Sequence, residues 1–139
     1  PSIIESLCID LEDPDAEITG KELLAMAAEA APALEVVVAS YGGLDSALCK
    51  VEEYGCPAED CFCDDTAYWS YWLKHAGTAV WDYAPVGMTT RKVHPGDMDG
   101  WSWLSLSSPI GNPGAALPAL SFSDVCPPKQ TVLLPVIIR

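Results

Sequence analysis

Basic side chains are scarce in this chain, which has seven Lys and Arg against twenty Asp and Glu and a formal net charge of −13. Such a charge repels the phosphates of nucleic acids and the anionic surfaces of membranes. Long apolar runs are also missing, since no uninterrupted stretch approaches the roughly 20 residues that a membrane-spanning helix needs. We therefore predict no nucleic-acid partner and no membrane span.

Recognised catalytic motifs are missing as well. His75 and His94 are the two histidines of the chain, and no G-x-S-x-G, H-E-x-x-H, P-loop or G-x-G-x-x-G pattern accompanies them. Asp97 and Asp99, in the run PGDMDG, could act as an acid and base pair, but carboxylates in a Pro and Gly turn more often support the turn itself. We predict no catalytic residue, no metal and no cofactor, and hence a protein that is not an enzyme.

Cysteine, by contrast, is abundant for a chain of 139 residues, with six copies. Three disulfides or one zinc site with spare thiols would account for them, and we favour disulfides because structural zinc sites prefer paired C-x₂₋₄-C knuckles. Cys61 and Cys63 are too close for an unstrained mutual bridge, so each should pair elsewhere. The predicted disulfide cysteines are Cys8, Cys49, Cys56, Cys61, Cys63 and Cys126. Oxidised cysteines indicate a secreted or cell-surface protein.

The aromatic residues are concentrated between Tyr68 and Trp103, a stretch that contains all five tryptophans. Its alternation with period two predicts strands at Tyr68 to Lys74, Thr78 to Tyr83 and Gly100 to Leu106, with turns at His75-Ala76-Gly77 and Pro95-Gly96-Asp97. These rings form either the stability centre or an open ligand platform. The set comprises Tyr68, Trp69, Tyr71, Trp72, Trp81, Tyr83, Trp101 and Trp103.

The first half of the chain alternates between strand and helix patterns. Ile3 to Leu11 predicts a half-buried strand, and Thr19 with Glu22 forms a capping box that begins a helix ending at Pro32. Leu34 to Tyr41 is β-branched and apolar on both faces, which favours a central strand. A shorter strand follows at Ala47 to Val51, and then a cysteine-rich loop at residues 55–65.

The runs GCPAEDCFC, YWSYW, WDYAPVGMTT and KVHPGDMDGWSW resemble the domain family DUF4430, which in turn resembles the C-terminal β-domain of transcobalamin and intrinsic factor. The resemblance covers about Ile3 to Leu106 and is most specific over Tyr68 to Trp103. It implies an α+β, β-grasp-like fold for residues 1–106, in which a mixed sheet cradles one helix. It also implies a small-molecule role, because in the vitamin carriers this domain closes over a corrin ring together with a helical domain, which another chain would have to supply here.

Residues 107–139 are different in composition. They begin as an extended linker rich in Pro, Gly and Ser and end in an apolar strand at Thr131 to Arg139, where Val132, Leu134, Val136 and Ile138 share a face. Pro135 cannot donate a ladder hydrogen bond, so we expect an edge position. The strand either folds back on its own sheet or completes the sheet of a neighbouring subunit, and we favour the neighbour, with Cys126 anchoring the tail to its own domain.

Two functions follow from these patterns. We favour an extracellular structural protein that self-associates into a filament through the C-terminal strand, and the alternative is an extracellular module that binds a small molecule. The chain begins at Pro1 without a basic and apolar leader, so we expect that any secretion signal has been removed.

Overall fold

The computed structural model of the protein describes residues 5–42, 45–108, 117–126 and 133–138. These residues form a mixed α+β fold, as expected. In chain order the elements are β1 Glu5–Asp10, β2 Ile18–Thr19, α1 Gly20–Ala30, β3 Val36–Ser40, β4 Ser46–Val51, β5 Tyr54–Gly55, a 3₁₀ turn at Ala58–Asp60, β6 Ala67–Lys74, β7 Asp82–Tyr83, β8 Lys92–Val93, β9 Met98–Ser105, a one-turn helix α2 at Phe122–Val125, and β10 Leu133–Ile138.

The largest sheet is mixed and has five strands in the order β1-β10-β9-β6-β7. Strands β6 and β9 are its longest pair and run antiparallel in register from Ala67 opposite Ser105 to Lys74 opposite Met98. β10 runs parallel to β9 and antiparallel to β1. The predicted strands at Tyr68 to Lys74 and Gly100 to Leu106 are therefore confirmed in position and agree within two residues at their ends.

The C-terminal strand pairs within its own chain, so the prediction that it pairs with a neighbouring subunit is wrong. β10 lies between β1 and β9, and the expected edge position is wrong as well. Pro135 faces Cys8 on β1, whereas pairing with β9 begins only at Val136. Pro135 therefore has a ladder neighbour on one side only, which is how a residue without an N–H is accommodated in an interior strand. Val132, the first residue of the predicted assembly face, lies outside the described residues.

Helix α1 packs on this sheet and begins as the sequence predicts. The Thr19 hydroxyl accepts from the Glu22 backbone N–H, and the Glu22 carboxylate accepts from the Thr19 backbone N–H, which completes a capping box. Leu23, Leu24 and Ala27 on its inner face are buried in the main core. The helix is thus held by the burial of this face rather than by propensity alone.

A second sheet has three strands in the order β3-β4-β5. β3 is at one end of it, so the prediction that this segment is a central strand is wrong. Val36 and Val38 pack against the main core, whereas Val37 packs against the Cys49–Cys61 cluster. Both faces of β3 are therefore covered by other parts of the chain, which explains an apolar pattern on both sides of a strand with one sheet neighbour.

The main sheet is covered on both faces. On the face opposite α1, Trp72, Trp81, Met98, Leu104 and Leu117 form a second core. Its other half comes from residues 117–126, where Pro118 accepts from Trp81 Nε1 at 2.9 Å and Leu120 accepts from Lys74 Nζ at 2.6 Å. This part of the predicted linker is therefore packed on the body, and the sheet takes strands from both sides of the boundary predicted at Leu106.

Only Asp82–Tyr83 of the strand predicted at Thr78 to Tyr83 is observed. The preceding turn at Ala76 and Gly77 is confirmed, with Gly77 at a φ of +82°. The residues after it leave the sheet, and this departure places the Trp81 ring in the second core. Burial of the Trp81 ring therefore stabilises the fold more than a longer β7 strand would, although the sequence pattern alternates as in a strand.

All six cysteines form disulfides, which confirms the prediction. Cys61 and Cys63 each pair elsewhere, and Cys126 ties the chain before β10 to β1. The bonds are Cys8–Cys126, Cys49–Cys61 and Cys56–Cys63, with sequence separations of 118, 12 and 7. Three disulfides are consistent with an extracellular protein. Among the described residues, no helix is long and apolar enough to cross a membrane.

Candidate ligand-binding cleft

A cleft of about 390 Å³ opens beside the α1 face of the main sheet, where β6 and β9 meet β4 and the loop that follows β7. Most of its lining is aromatic or aliphatic, and every lining residue is uncharged. The lining residues are Ser46, Ala47, Leu48, Phe62, Tyr68, Trp69, Tyr71, Tyr83, Ala84, Pro85, Val86, Gly87, Met88 and Trp101.

The floor of the cleft is made by rings from paired strands. Tyr71 on β6 faces Trp101 on β9, and their rings stack at 4.7 Å between centroids with an angle of 13°. Trp69 is two residues before Tyr71 on the same face of β6, and its ring lies 5.6 Å from the Trp103 ring between centroids. Stacked cross-strand pairs of this kind stabilise a sheet beyond the area that they bury. The floor therefore belongs to the main core.

The rim of the cleft, by contrast, exposes apolar side chains. Phe62 is 60% exposed and Val86 is 40% exposed, and the Tyr83 ring is also open to solvent. Tyr68 donates a hydrogen bond to the Tyr83 hydroxyl at 3.5 Å, which places two phenolic oxygens at the same wall. Burial, together with this bond, raises the pKa of Tyr68, so its hydroxyl remains protonated and able to donate.

The wall loop, residues 84–90, is fixed at several points. Ala84 N–H donates to Tyr71 O at 3.0 Å, and Met88 O accepts from the Lys21 N–H at the start of α1 at 2.9 Å. Asp45 accepts from the backbone N–H groups of Thr89 and Thr90 and from the Thr90 hydroxyl. A cleft whose wall is held this firmly is preformed, as small-molecule sites usually are.

Asp45 packs so tightly against the wall loop that Gly87 has no room for a side chain. A Cβ at this position would lie 2.2 Å from the Asp45 carboxyl carbon. Partial burial alone would raise the pKa of Asp45, but the hydrogen bonds from Ser46, Thr89 and Thr90 outweigh it and lower the pKa to about 2. The carboxylate thus serves as a structural clamp rather than as a contact for a ligand.

A buried charge cluster lies behind the floor. Arg91 Nη2 contacts Asp97 Oδ2 at 3.1 Å and Asp99 Oδ1 at 3.2 Å, and the Tyr71 hydroxyl donates to Asp99 Oδ2. Burial raises the pKa of Asp99, and Arg91 and Tyr71 oppose this shift. The two carboxylates that the sequence offered as an acid and base pair are thus both paired with one guanidinium.

Asp97 has a further role in the turns around it. Its Oδ1 accepts from the Ala76 N–H and its Oδ2 from the His94 N–H, each at 3.0 Å. The Asp97 side chain thereby joins the turn after β6 to the turn before β9. This is the turn-supporting role that the sequence favoured over acid and base chemistry.

The structure divides the eight predicted aromatic residues between two places. Tyr68, Trp69, Tyr71, Tyr83 and Trp101 line the cleft. Trp72 and Trp81 lie on the opposite face of the sheet in the second core, and Trp103 packs beside Trp69. The rings are therefore neither all core nor all platform. The face of β6 does not by itself decide between the two, because Tyr68 shares the face of Trp72 and packs against the second core but also lines the cleft.

Sequence reasoning missed the residues that complete the cleft. Phe62, Val86 and Ser46 were not singled out, although Phe62 stands out as a large apolar residue in an otherwise polar loop. Among the described residues, no group of three or more His, Cys, Asp or Glu side chains could hold a metal ion.

No family model, no curated protein and no solved structure matches this chain. The resemblance to DUF4430 and to the vitamin carriers therefore stays a prediction.

Proposed function

We propose that the protein is an extracellular binding module that takes a small organic ligand, with an apolar body and a neutral or positive charge, in the aromatic cleft. The observation that carries this proposal is the exposure of Phe62, Tyr83 and Val86 around a preformed, uncharged aromatic floor. Large apolar side chains that remain in water around a concave site typically mark a binding surface.

The size of the cleft supports a small molecule rather than a macromolecule. Its volume of about 390 Å³ falls within the roughly 300–1,000 Å³ that small-molecule sites occupy. The rings of Phe62 and Tyr83, which remain in water at the rim, favour a flat apolar body that can make offset or edge contacts with them. The hydroxyls of Tyr68, Tyr83 and Ser46 supply the few polar contacts that would orient it.

The charge of the protein supports a ligand that is neutral or positively charged. The lining contains no cationic side chain to pair with an anion, and the chain as a whole carries a net charge of −13. The field of such a protein attracts cations and repels anions, and aromatic faces attract cations further. The resemblance to the vitamin-carrier domain, with its β-grasp-like fold, also favours a small-molecule role at the cell surface or in secretions.

The filament hypothesis depended on a free C-terminal strand. Because β10 is paired on both sides within its own chain, strand exchange has no remaining support and we do not propose it. Self-association through another surface is a separate question, which sedimentation over a range of protein concentrations would answer.

The proposal is tested with three probes that share one naphthalene ring: 1-naphthylmethylammonium, 1-naphthylmethanol and 1-naphthoate. We expect titration calorimetry to show binding of the first two, with the cation tighter at low salt and the difference closing as salt screens the field. Binding of the anion alone, or of none of the probes, would contradict the proposal.

Val86→Lys should weaken binding of the cation by about tenfold or more, because it places a charge at the rim and removes apolar contact. Val80→Lys is the matched control: Val80 is also exposed, at 60%, but does not line the cleft. Equal effects of the two substitutions would show that the probe binds elsewhere.

A further inference from the structure

We infer that Phe62 is a preorganised binding residue of the cleft, and that the two disulfides that flank it hold its ring in place for the ligand. This inference rests on the proposed function and adds to it a residue that determines affinity, together with a role for the cysteine loop.

Phe62 lies between two disulfide-bonded residues. Its preceding neighbour, Cys61, is bonded to Cys49 in β4, and its following neighbour, Cys63, is bonded to Cys56. Cys61 and Cys49 are buried, so one anchor reaches into the body of the protein. The main chain is thus covalently fixed on both sides of one residue.

Hydrogen bonds reinforce this arrangement. Cys56 N–H donates to Cys49 O at 2.8 Å, and Cys63 N–H donates to Asp60 O at 3.1 Å. The loop from Cys56 to Cys63 is therefore tied both to itself and to β4, the strand that contributes Ser46, Ala47 and Leu48 to the cleft.

The exposure of Phe62 argues against a role in stability. At 60% exposed the ring contributes little buried area, and a polar residue would serve the folded state equally well. Cross-links on both sides of such a residue instead favour binding, because a main chain that is already ordered loses less entropy when a ligand arrives. Fixing the backbone of one residue corresponds to roughly 5–30-fold in affinity.

The first test compares Phe62→Ala with Leu106→Ala, using 1-naphthylmethylammonium and the calorimetric assay above. Leu106 is 58% exposed and does not line the cleft, so it matches Phe62 in exposure. We expect Phe62→Ala to lower affinity about tenfold with an unchanged urea midpoint, Phe62→Leu to restore part of the loss, and Leu106→Ala to have no effect.

The second test is the Cys56→Ser/Cys63→Ser variant, which keeps the ring and removes one anchor. We expect a 5–30-fold loss of affinity that appears as a less favourable binding entropy. Backbone order parameters of residues 61–63 in the wild type provide a measurement that does not depend on how this variant folds. Values near the rigid limit of about 0.85 are expected, and values below about 0.6 would overturn the preorganisation.

The outcomes separate this inference from the proposed function. If Val86→Lys weakens the probe but Phe62→Ala does not, the cleft is the site and the inference about Phe62 is wrong. If neither substitution changes affinity, or if the wild type does not bind the probe, the proposed function fails and the inference fails with it.

Discussion

Asp45 Oδ1 accepts a hydrogen bond from the Thr89 backbone N–H at 2.6 Å, and this contact joins the residue before β4 to the wall loop of the cleft. The same carboxylate also accepts from Thr90 and Ser46. The shape of the cleft therefore depends on one ionised side chain, whose protonation can be controlled.

Asp45→Asn should destabilise the protein by about 1–3 kcal/mol at pH 7, because an amide places an NH₂ group against backbone donors that the carboxylate accepts from. The wild-type pKa is lowered from 3.8 to about 2, so the contribution of Asp45 is complete above about pH 4 and is lost as the pH falls toward 2. The difference between the two urea midpoints should shrink over this window. Asp65→Asn, at an exposed carboxylate, controls for the change in net charge and should show no such trend.

Arg91 should be the most costly single charge to remove. Arg91→Met leaves Asp97 and Asp99 buried without their shared cation, which typically costs about 3–5 kcal/mol. Because burial raises the pKa of Asp99, protonation should relieve part of this cost, and the variant should lose less stability at pH 4 than at pH 7. Lys92→Met, at the exposed neighbouring position, is the control, and a similar loss there would show that Arg91 has no special role.

The parts of the fold that the sequence predicts are those fixed by local chemistry. The capping box at Thr19, the glycine turns at Gly77 and Gly96, and the alternation of β6 and β9 each follow from a residue's own backbone preference or from the period of a strand. Trp69 and Tyr71 accordingly lie on one face of β6 and Trp72 lies on the other.

Which strands become neighbours in a sheet, in contrast, depends on long-range contacts that the apolar periodicity of the sequence does not specify. The apolar period of residues 131–139 indicates a strand but not its neighbours, and β10 reaches β9 only after a long connection. Trp81 lies outside the strand that was predicted for it, because burial of its ring stabilises the fold more than two or three further strand residues would. For a similar reason the sequence predicted the aromatic residues of the cleft but not Phe62. Phe62 is positioned by the disulfides of Cys61 and Cys63, and cysteine spacing does not determine how cysteines pair.

Gly100 should prove essential for docking of residues 117–126. A Cβ at Gly100 would lie 2.6 Å from Leu117 Cδ1 and 3.3 Å from the Trp81 ring. Gly100→Ala should therefore cost about 1–3 kcal/mol through overpacking, measured by urea unfolding. The cost should fall clearly in a Leu117→Ala background, because the shortened side chain makes room. An additive double-mutant cycle would contradict this explanation.

The Cys8–Cys126 disulfide should contribute more to stability than the Cys56–Cys63 disulfide. The first closes a loop with a separation of 118 residues and the second a loop of 7, and the entropy removed from the unfolded chain grows with loop length. Replacing Cys8 and Cys126 with Ser should lower the free energy of unfolding by about 2–5 kcal/mol. The Cys56 and Cys63 pair should cost less, and the reverse order would show that strain or contacts outweigh chain entropy.

Deleting Leu133–Ile138 should unfold the protein rather than release a folded monomer. The segment is an interior strand, and its removal leaves β1 without a described sheet neighbour and strips β9 of one of its two. Unpaired interior backbone groups and the loss of the parallel β9 contact together exceed the few kcal/mol by which a small domain is stable. The near-UV spectrum and the cooperative urea transition should both disappear. As a control, six alternating Gly and Ser residues in place of the segment keep the chain length, and should fail to fold as well. A truncated protein that retains a cooperative transition would show that β10 is dispensable and that the sheet closes without it.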